Sequence, residues 1–407
     1  MINLKLNVYS EIGRLKTVLL HRPGRELENL TPNILEKLLF DDIPYLKVAQ
    51  EEHDVFAKTL RDEGVEVLYI TDMISEALEH NPAIINEFIY RFIEEAHVKS
   101  KTVKQALYDY LSKLPINDMV HKMIEGIRTH EIILAKRQSI IDMLGDEYPF
   151  YTDPMPNILF QRDPFATIGS GVSINRMYTD TRRRETLFCD YMFKYHPRFK
   201  EENLSRYYQR DFRYNIEGGD ILVLNKKTLA IGMSKRTDPR AIEHLAENLF
   251  ESNESFQTIL AFNIPKTRAF MHLDTVFTQI DYDKFTIHPG IMKELTIFEI
   301  IKSQEGLKIS KVVSSLKSIL EKHLKINIEL INCGGNDIVH SEREQWNDGA
   351  NTLAIEPGKI IVYSRNHITN SILKSKKINV LEIPSSELSR GRGGPRCMSM
   401  PLFREDI

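Results

Sequence analysis

The sequence contains three cysteines, and one of them stands among residues that suit a reacting thiol. Cys397 lies in the segment SRGRGGPRCMSM at positions 389–400, whose glycines allow the backbone to approach a ligand closely. The arginines of this segment would lower the pKa of the thiol if their guanidinium groups point towards it. A basic loop that ends in a buried, inert cysteine is the alternative. The segment therefore makes Cys397 a candidate nucleophile.

A histidine and a carboxylate stand two positions apart in MHLDTVF at 271–277. If this segment is a strand, the side chains of His272 and Asp274 leave the same face. Such a pair can act as a general base with a positioned acid, or as two ligands of a metal ion. A core histidine that is satisfied by its neighbour is the third interpretation. No second histidine follows at ligand spacing, which makes the metal site the weaker hypothesis.

Two further carboxylates, Asp163 before Pro164 and Glu217 before a Gly-Gly pair, are candidate site residues. Each pattern is also ordinary turn chemistry, which is the simpler interpretation for either residue alone. Neither G-x-G-x-x-G nor a Walker lysine follows the Gly-Gly pair, so it does not predict a phosphate cradle. Taken alone, the run RRRE at 182–185 predicts a solvated charged face, and Arg236 a surface residue.

The composition excludes several classes of protein. The chain has 407 residues with 54 basic and 57 acidic side chains, a net charge of −3, and 42% hydrophobic residues. This balance argues against a partner as anionic as nucleic acid or a charged membrane surface, and no apolar run approaches the roughly 20 residues of a membrane span. The polar N-terminus does not resemble a signal peptide. Few, widely spaced cysteines fit a reducing cytosol, so we expect a cytoplasmic protein without a disulfide framework.

The elements that must position these residues change character twice along the chain. Short β-type runs around a helical stretch occupy residues 1–73, and helix-period apolar patterns occupy 74–148. Short strands, glycine turns and isolated helices return in 149–407. The pattern predicts an α/β protein with an inserted helical domain at 74–148.

Two segments of the last part resemble each other. EGGDI at 217–221 runs on to TLAI at 228–231, and CGGNDI at 333–338 runs on to TLAI at 352–355. This similarity predicts a duplicated strand–turn–strand module. Chance similarity of two hairpins is the alternative.

Five segments, taken in chain order, resemble the arginine deiminase family: LHRPG at 20–24, NILFQRD at 157–163, IEGGD at 216–220, HLDT at 272–275 and RGGPRCMS at 392–399. One such motif is weak, but five in order that end in the cysteine are specific and span nearly the whole chain. The resemblance implies the pentein fold, a five-bladed α/β propeller of ββαβ modules, with the helical insert of the bacterial members.

The resemblance also implies an activity, the hydrolysis of L-arginine to L-citrulline and ammonia in the arginine deiminase pathway, without cofactor or metal. By resemblance, Asp163 and Asp274 bind the guanidinium and Cys397 attacks its central carbon to form an S-alkylthiouronium. His272 then donates a proton to the departing ammonia and later activates water. Glu217 orients His272 and favours its protonated form.

The resemblance assigns further residues to substrate binding, namely Asn157, Phe160, Arg182, Arg236, Gly391 and Arg392. Three of them, Arg182, Arg236 and Asn157, would bind the α-carboxylate, while Phe160 packs on the aliphatic stem. Because the site holds several carboxylates, we expect the resting Cys397 to be a neutral thiol.

Three alternatives stay open at this point. The first comprises enzymes of the same fold: an agmatine deiminase, a dimethylarginine hydrolase or an amidinotransferase. The second is a non-enzymatic propeller such as the ribosome anti-association factors, and the third is a metal-dependent hydrolase. We expect L-arginine as the partner, neither nucleic acid nor membrane, and a homo-oligomer, either a dimer or a tetramer.

Overall fold

Short strands and helices alternate along the chain. The computed structural model describes residues 4–134, 148–200, 204–292 and 295–407. The strands within these ranges are β1 (Leu15–Leu20), β2 (Glu66–Tyr69), β3 (Ile127–Arg128), β4 (Phe150–Thr152), β5 (Phe165–Ile168), β6 (Gly171–Ile174), β7 (Arg206–Tyr208), β8 (Ile221–Asn225), β9 (Thr228–Met233), β10 (Thr258–Asn263), β11 (Phe277–Gln279), β12 (Lys284–Ile287), β13 (Thr296–Ser303), β14 (Gly306–Lys311), β15 (Glu329–Asn332), β16 (Leu353–Glu356), β17 (Lys359–Tyr363), β18 (Asn379–Ile383) and β19 (Met400–Arg404).

The helices within the same ranges are mostly short. They are α1 (Leu35–Leu38), α2 (Leu46–Asp62), α3 (Ile70–Glu79), α4 (Ile85–Glu95), α5 (Lys101–Leu111), α6 (Ile116–Glu125), α7 (Asp180–Tyr195), α8 (Pro197–Lys200), α9 (Pro239–Glu251), α10 (Leu316–Leu324), α11 (Ile338–Trp346) and α12 (His367–Ser375). None of these helices is long and apolar enough to cross a membrane. The predicted mixed α/β class is confirmed.

One strand arrangement recurs in five sheets of the described residues. In each sheet two strands pair antiparallel, and a third, reached through helix, pairs parallel with the second. The sets are β5–β6–β7, β8–β9–β10, β11–β12–β15, β16–β17–β18 and β19–β1–β2. Parallel neighbours need a long crossover, which the intervening helices provide. The hairpin β13–β14 extends one sheet beyond β10.

The predicted duplication is wrong, because the two TLAI segments occupy different strand positions in their sheets. The TLAI segment at 228–231 lies in β9, the second strand of its sheet, whereas the segment at 352–355 leads into β16, the first strand of another. The residues that follow Gly335 enter helix α11 instead of a strand. Both strands of each antiparallel pair are largely buried, so a short apolar run fits either position and does not fix the register.

The helices α3 to α6 follow one another between β2 and β3. Helix α5 illustrates the predicted periodicity: Ser100 caps its first turn by accepting from the Val103 amide at 3.2 Å, and Val103, Leu107 and Leu111 are buried. Helix α4 packs on α7, where the ring centroids of Phe88 and Phe188 lie 5.5 Å apart. The division of the chain at 73 and 148 stays a prediction, and residues 135–147 of the predicted helical domain lie outside the described residues.

Strands from the two ends of the sequence share one sheet. Strand β19 pairs with β1, and Nδ2 of Asn7 donates to the Arg404 carbonyl at 2.7 Å across 397 positions. This pairing fixes the segment before β19, which contains Cys397, against the N-terminal part of the chain.

Candidate active site

Cys397 is held by its backbone in a buried position just before β19. Its amide donates to Oδ1 of Asn351 at 3.0 Å, and its carbonyl accepts from the Arg162 amide at 3.1 Å. The thiol Sγ lies 3.5 Å from Oδ2 of Asp274. Only 4% of Cys397 is exposed. The backbone bonds fix where the sulfur points, while the side chain keeps no strong hydrogen bond of its own.

The strand predicted for the His272–Asp274 segment is wrong, because residues Leu273–Thr275 form a 3-10 turn. The turn satisfies its polar groups locally. The Leu273 amide donates to Oδ1 of Asp220 at 2.9 Å, and Oγ1 of Thr275 donates to the His272 carbonyl at 2.7 Å. His272 nevertheless lines the cavity that contains Cys397, and Asp274 contacts the sulfur, so the structure brings the two residues to one place through a turn instead of a strand.

His272 lies between two carboxylates. Its Nε2 is 2.8 Å from Oε2 of Glu217, and its Nδ1 is 3.7 Å from Oδ1 of Asp163. Gly219 makes this arrangement possible, because a Cβ there would stand 2.7 Å from Nδ1 and 2.9 Å from the Asp163 oxygen. The Gly-Gly pair thus allows a close approach of backbone to the imidazole rather than of backbone to a phosphate.

The charges around His272 favour an imidazolium. Burial opposes the charged ring, but Asp163, the hydrogen bond with Glu217 and the nearby Asp220 together raise the pKa of His272 to about 9. Burial would raise the pKa of Glu217, yet Arg236 and His272 hold it well below its usual range. At neutral pH the pair is therefore an imidazolium and a carboxylate.

The surroundings of Cys397 favour the neutral form of its side chain, whereas those of His272 favour the charged form. Burial raises its pKa well above the ordinary value, and Asp274, Asp163 and Asp348 raise it further, with Arg396 as the opposing charge. The direction agrees with the neutral thiol expected from the sequence. Burial also raises the pKa of Cys333, to about 12. Among the three cysteines, only Cys397 lines the cavity described below.

The residue types of the run RRRE at 182–185 predict a solvated face, and this prediction is wrong. Arg182 and Glu185 are buried on α7, and Arg182 donates from Nη2 to Glu185 at 2.8 Å and from Nη1 to Oδ2 of Asp163 at 2.8 Å. Arg236 is also buried, with Nη1 3.3 Å from Oε2 of Glu217. Composition does not predict this burial, because Asp163 and Glu217, which pair with Arg182 and Arg236, come from other segments of the chain.

A small enclosed cavity lies beside the thiol. The predicted residues that line it are Asn157, Phe160, Asp163, Arg182, Arg236, His272, Gly391, Arg392 and Cys397. The two remaining predicted residues, Asp274 and Glu217, contact Cys397 and His272. The cavity measures about 20 Å³, room for one water molecule. An amino acid the size of arginine therefore requires the surrounding segments to move.

Unpartnered buried atoms show which ligand this cavity suits. Oδ1 of Asp163 and Oδ1 of Asp274 are buried without a hydrogen bond to any described residue, and so are Nε, Nη1 and Nη2 of Arg392. Buried polar atoms without partners are costly, so a ligand that satisfies them is favoured. Free carboxylate oxygens suit a planar cation, and a free guanidinium suits an anion. The arrangement fits a ligand that is cationic at one end and anionic at the other.

One trio of side chains has the spacing of a metal site. Asp163, Glu217 and His272 offer ligand atoms within 4.8 Å of one another. The two carboxylates, however, already accept from Arg182 and Arg236. Two fixed guanidinium charges beside the trio oppose the binding of a divalent cation, so the donor set fits a metal poorly.

Two residues that support the site, Asn351 and Glu11, carry no local signal in the sequence. Asn351 binds the Cys397 amide, and its Nδ2 donates to the Asp274 carbonyl at 3.2 Å. Arg396 holds Asp274 and is itself held by Glu11. Such partners are distant in sequence, and only an alignment of relatives would have pointed to them.

Comparison with known proteins shows the family to which the sequence is similar. Residues 36–404 match the arginine deiminase family. The chain is 56% identical to arginine deiminase of Clostridium perfringens and 55% identical to that of Borrelia duttonii, in each case over 99% of this chain and 98% of the relative. It is 51% identical to arginine deiminase of Bacillus cytotoxicus over 99% of both chains.

Solved structures of low sequence identity share the fold. An amidinotransferase from Microseira wollei matches with a TM-score of 0.55 at 15% identity, over 99% of this chain and 98% of that one. A dimethylarginine dimethylaminohydrolase adduct with S-methyl-L-thiocitrulline matches with a TM-score of 0.53 at 15% identity, over 95% and 99%. The product-bound N-terminal domain of a cyanobacterial arginine dihydrolase matches with a TM-score of 0.53 at 14% identity, over 95% and 97%. These neighbours are pentein-fold enzymes.

Proposed function

Since the chain belongs to the arginine deiminase family and hydrolyses L-arginine to L-citrulline and ammonia, we propose that Cys397, His272, Asp163, Asp274 and Glu217 carry out this reaction. The observation that carries the assignment is the pair of free carboxylate oxygens beside the thiol. They belong to Asp163 and Asp274, and both are buried.

Guanidinium binding is the first step. A guanidinium is planar and carries its positive charge at any physiological pH, so it needs fixed carboxylates that match its N–H directions. Asp163 and Asp274 each have one oxygen occupied by a protein arginine and the other oxygen free. The occupied oxygen fixes the orientation of each carboxylate, and the free oxygen accepts from the substrate.

Attack by Cys397 on the central guanidinium carbon is the second step. The sulfur is 3.5 Å from an oxygen of Asp274, which binds the same substrate group, so binding brings carbon and sulfur together. The bound cation also offsets the negative field that raises the pKa of Cys397. The substrate therefore helps to generate the thiolate that attacks it.

Proton transfers through His272 complete the reaction. As an imidazolium it donates a proton to the departing nitrogen, ammonia leaves, and an S-alkylthiouronium remains on Cys397. The neutral ring then takes a proton from water, which attacks the same carbon and releases citrulline and the thiol. Glu217, 2.8 Å from Nε2, orients the ring and stabilises its charged form.

The opposite end of the substrate carries an α-carboxylate, for which Arg392 and Arg236 are the proposed partners. Arg392 has three unpartnered nitrogens, whereas Arg182 is already engaged by Asp163 and Glu185. Asn157 lies in the same cavity, and Phe160 offers a ring to the aliphatic stem. Gly391 leaves room for that ring, because a Cβ there would stand 3.0 Å from it.

An assay of citrulline and ammonia with arginine as the sole substrate tests the proposal. We expect both products in equal amounts, with no effect of a chelator. Recovery of activity only with added zinc, iron or manganese would instead support the metal-dependent hydrolase. Turnover of agmatine or dimethylarginine at the rate of arginine would indicate one of the other enzymes of this fold.

We further propose that the five sheets that contain the recurring set of three strands are the blades of a propeller. The supporting observation is that all five repeat the same pairing of two antiparallel strands and one parallel strand. A homo-oligomer, either a dimer or a tetramer, in the cytosol completes the proposal. Sedimentation of the purified protein tests the oligomer, and fractionation of cells tests the location.

A further inference from the structure

Arg392 is buried in an unusual way. Only 4% of it is exposed, and none of its three guanidinium nitrogens has a hydrogen bond within the described part of the chain. Two carboxylates, Asp348 and Asp41, favour its charge, but Asp41 lies 3.8 Å away, from Oδ2 to Nη1, and is itself engaged by Arg268. A buried guanidinium without hydrogen bonds needs another source of stabilisation.

An aromatic face adds to the stabilisation that these two carboxylates give. The Arg392 guanidinium carbon lies 3.5 Å from the ring centroid of Trp346, the single tryptophan of the chain. Trp346 is the last residue of α11, and the helix end is fixed by two bonds: the Gly349 amide donates to the Glu344 carbonyl at 2.7 Å, and Nε2 of Gln345 donates to the Ala269 carbonyl at 2.6 Å. These bonds fix the backbone that carries Trp346, which is 46% exposed and has Arg392 on one face of its indole.

Stacking on a ring face differs from an ion pair in what it leaves free. The attraction acts through the flat side of the guanidinium, so it consumes none of the five N–H donors in its plane. A carboxylate partner would occupy two of those donors. Arg392 is thus held in place with its donors unused, beside the cavity that contains Cys397.

We infer that Trp346 is a positioning residue that presents Arg392 to the carboxylate of the substrate, and so contributes to the selection of arginine over amines that lack this carboxylate. The inference rests on the proposed function, because it takes arginine as the ligand of the cavity. It adds a role for a further residue: the ring of Trp346 fixes the guanidinium of Arg392, and this guanidinium selects a substrate with a carboxylate.

Steady-state kinetics of two variants test the role. In Trp346→Leu, which removes the aromatic face, we expect the KM for arginine to rise about tenfold while kcat changes less than about threefold. In Trp346→Phe, which keeps a ring, most of the increase should disappear. The kinetics of agmatine should be alike in all three proteins, because agmatine has no group for Arg392.

Fluorescence gives a second readout that does not depend on turnover. In Cys397→Ser, arginine should change the emission of Trp346, because the stacked guanidinium acquires an anion, and agmatine should change it much less. The additional substitution Trp346→Phe supplies the blank, since that protein has no tryptophan.

Two outcomes would overturn the inference. One is a Trp346→Leu enzyme whose KM for arginine stays within twofold of the unmodified protein. The other is equal responses of the tryptophan emission to arginine and agmatine, which decides the matter even if the leucine variant does not fold. Failure of the proposed function is a distinct result, since the unmodified protein would then produce no citrulline.

Discussion

Arg396 donates from Nη1 to Oδ2 of Asp274 at 2.8 Å, the same oxygen that lies 3.5 Å from the sulfur of Cys397. The rest of the Arg396 guanidinium binds Glu11, with Nε and Nη2 at 3.0 and 3.1 Å from its two oxygens. One oxygen of Asp274 is thereby fixed by the protein, and the other, Oδ1, has no hydrogen bond within the described residues and is the proposed acceptor for the substrate.

Replacement of Glu11 by Gln should destabilise the protein. The change removes the charge of one of the two carboxylates that pair with the buried Arg396, the other being Asp274, and breaking a buried ion pair costs about 3–5 kcal/mol. The free energy of unfolding from urea denaturation measures this loss. Glu405→Gln is the matched control, because Glu405 pairs with Lys16 at the surface, and it should leave the unfolding curve unchanged. Equal effects of the two substitutions would contradict the structural role of Glu11.

The same carboxylate predicts a response to acid. Burial opposes ionisation of Glu11, but Arg396, Arg162 and Arg404 lower its pKa from 4.5 to about 2. A depressed folded-state pKa stabilises the protein above pH 4.5, and this contribution is lost as the pH falls through about 2. In Glu11→Gln the decline of stability between these two values should be shallower, as measured by urea denaturation at each pH.

Replacement of Cys397 by Ser should abolish citrulline formation while the far-ultraviolet circular dichroism and the melting temperature stay near those of the unmodified protein. A hydroxyl is a far weaker nucleophile than a thiol in the absence of an adjacent base tuned to it. Cys333→Ser is the control, since Oγ1 of Thr369 lies 3.5 Å from that sulfur and serine can keep the bond. Substantial activity in Cys397→Ser would disprove the nucleophile.

The resting thiol should react slowly with alkylating reagents near neutral pH. Burial and the nearby carboxylates raise the pKa of Cys397, so the thiolate fraction at pH 7 is small. We expect the rate of inactivation by iodoacetamide to rise steadily as the pH increases up to 9. A midpoint below pH 7 that disappears in Cys397→Ser would instead reveal a preformed thiolate–imidazolium pair.

Glu217 should set the alkaline limit of activity. His272, with a pKa of about 9, holds its proton in the free enzyme until the pH passes that value, and kcat/KM should decline above it. Glu217→Gln removes a charge that raises the pKa of His272, so the decline should move to lower pH. Glu76→Gln is the control, because Glu76 lies 3.0 Å from another buried histidine, His196, and it should leave the profile unchanged.

Agmatine should be a poor substrate, with kcat/KM at least tenfold below that of arginine, because it leaves cations of the cavity unpaired at a cost of about 2–5 kcal/mol. Arg236→Ala should reduce this ratio, mainly by weakening arginine. Arg240→Ala is the control, since Arg240 is exposed and pairs with Asp238, and it should leave the ratio as it is. Equal turnover of both substrates by the unmodified protein would refute the role of the arginines.

The sequence predicts some parts of this site and not others, for identifiable reasons. Cys397 could be found because glycines and arginines surround it within a few positions. The sequence predicts His272 and Asp274 as candidates from a spacing that fits a strand, although the chain forms a 3-10 turn there. This turn is stabilised by hydrogen bonds that involve Asp220 and Thr275, and such bonds leave no periodic pattern of apolar residues from which the turn could be predicted.

Contacts across long separations account for what the sequence could not reveal. Asn351 is 46 positions from the Cys397 amide that it binds, and Glu11 is 385 positions from Arg396. The burial of Arg182 likewise depends on Asp163, a residue of another element. The duplicated module was expected in the wrong register because a short apolar run fits either buried strand of a sheet.

The pairing of β1 with β19 has a consequence for the order of folding. Contacts between distant segments form slowly, because the intervening loop must lose its entropy first. Sheets such as β5–β6–β7 close over short stretches of chain. Strand β1 can pair early with β2, but its other edge must wait for β19, which lies almost 400 residues later in the chain. Cys397 and Arg396 reach Glu11 only when β19 pairs with β1. We therefore expect the recovery of arginine hydrolysis during refolding to follow the pairing of β1 with β19. A chain that has formed its other sheets should still be inactive.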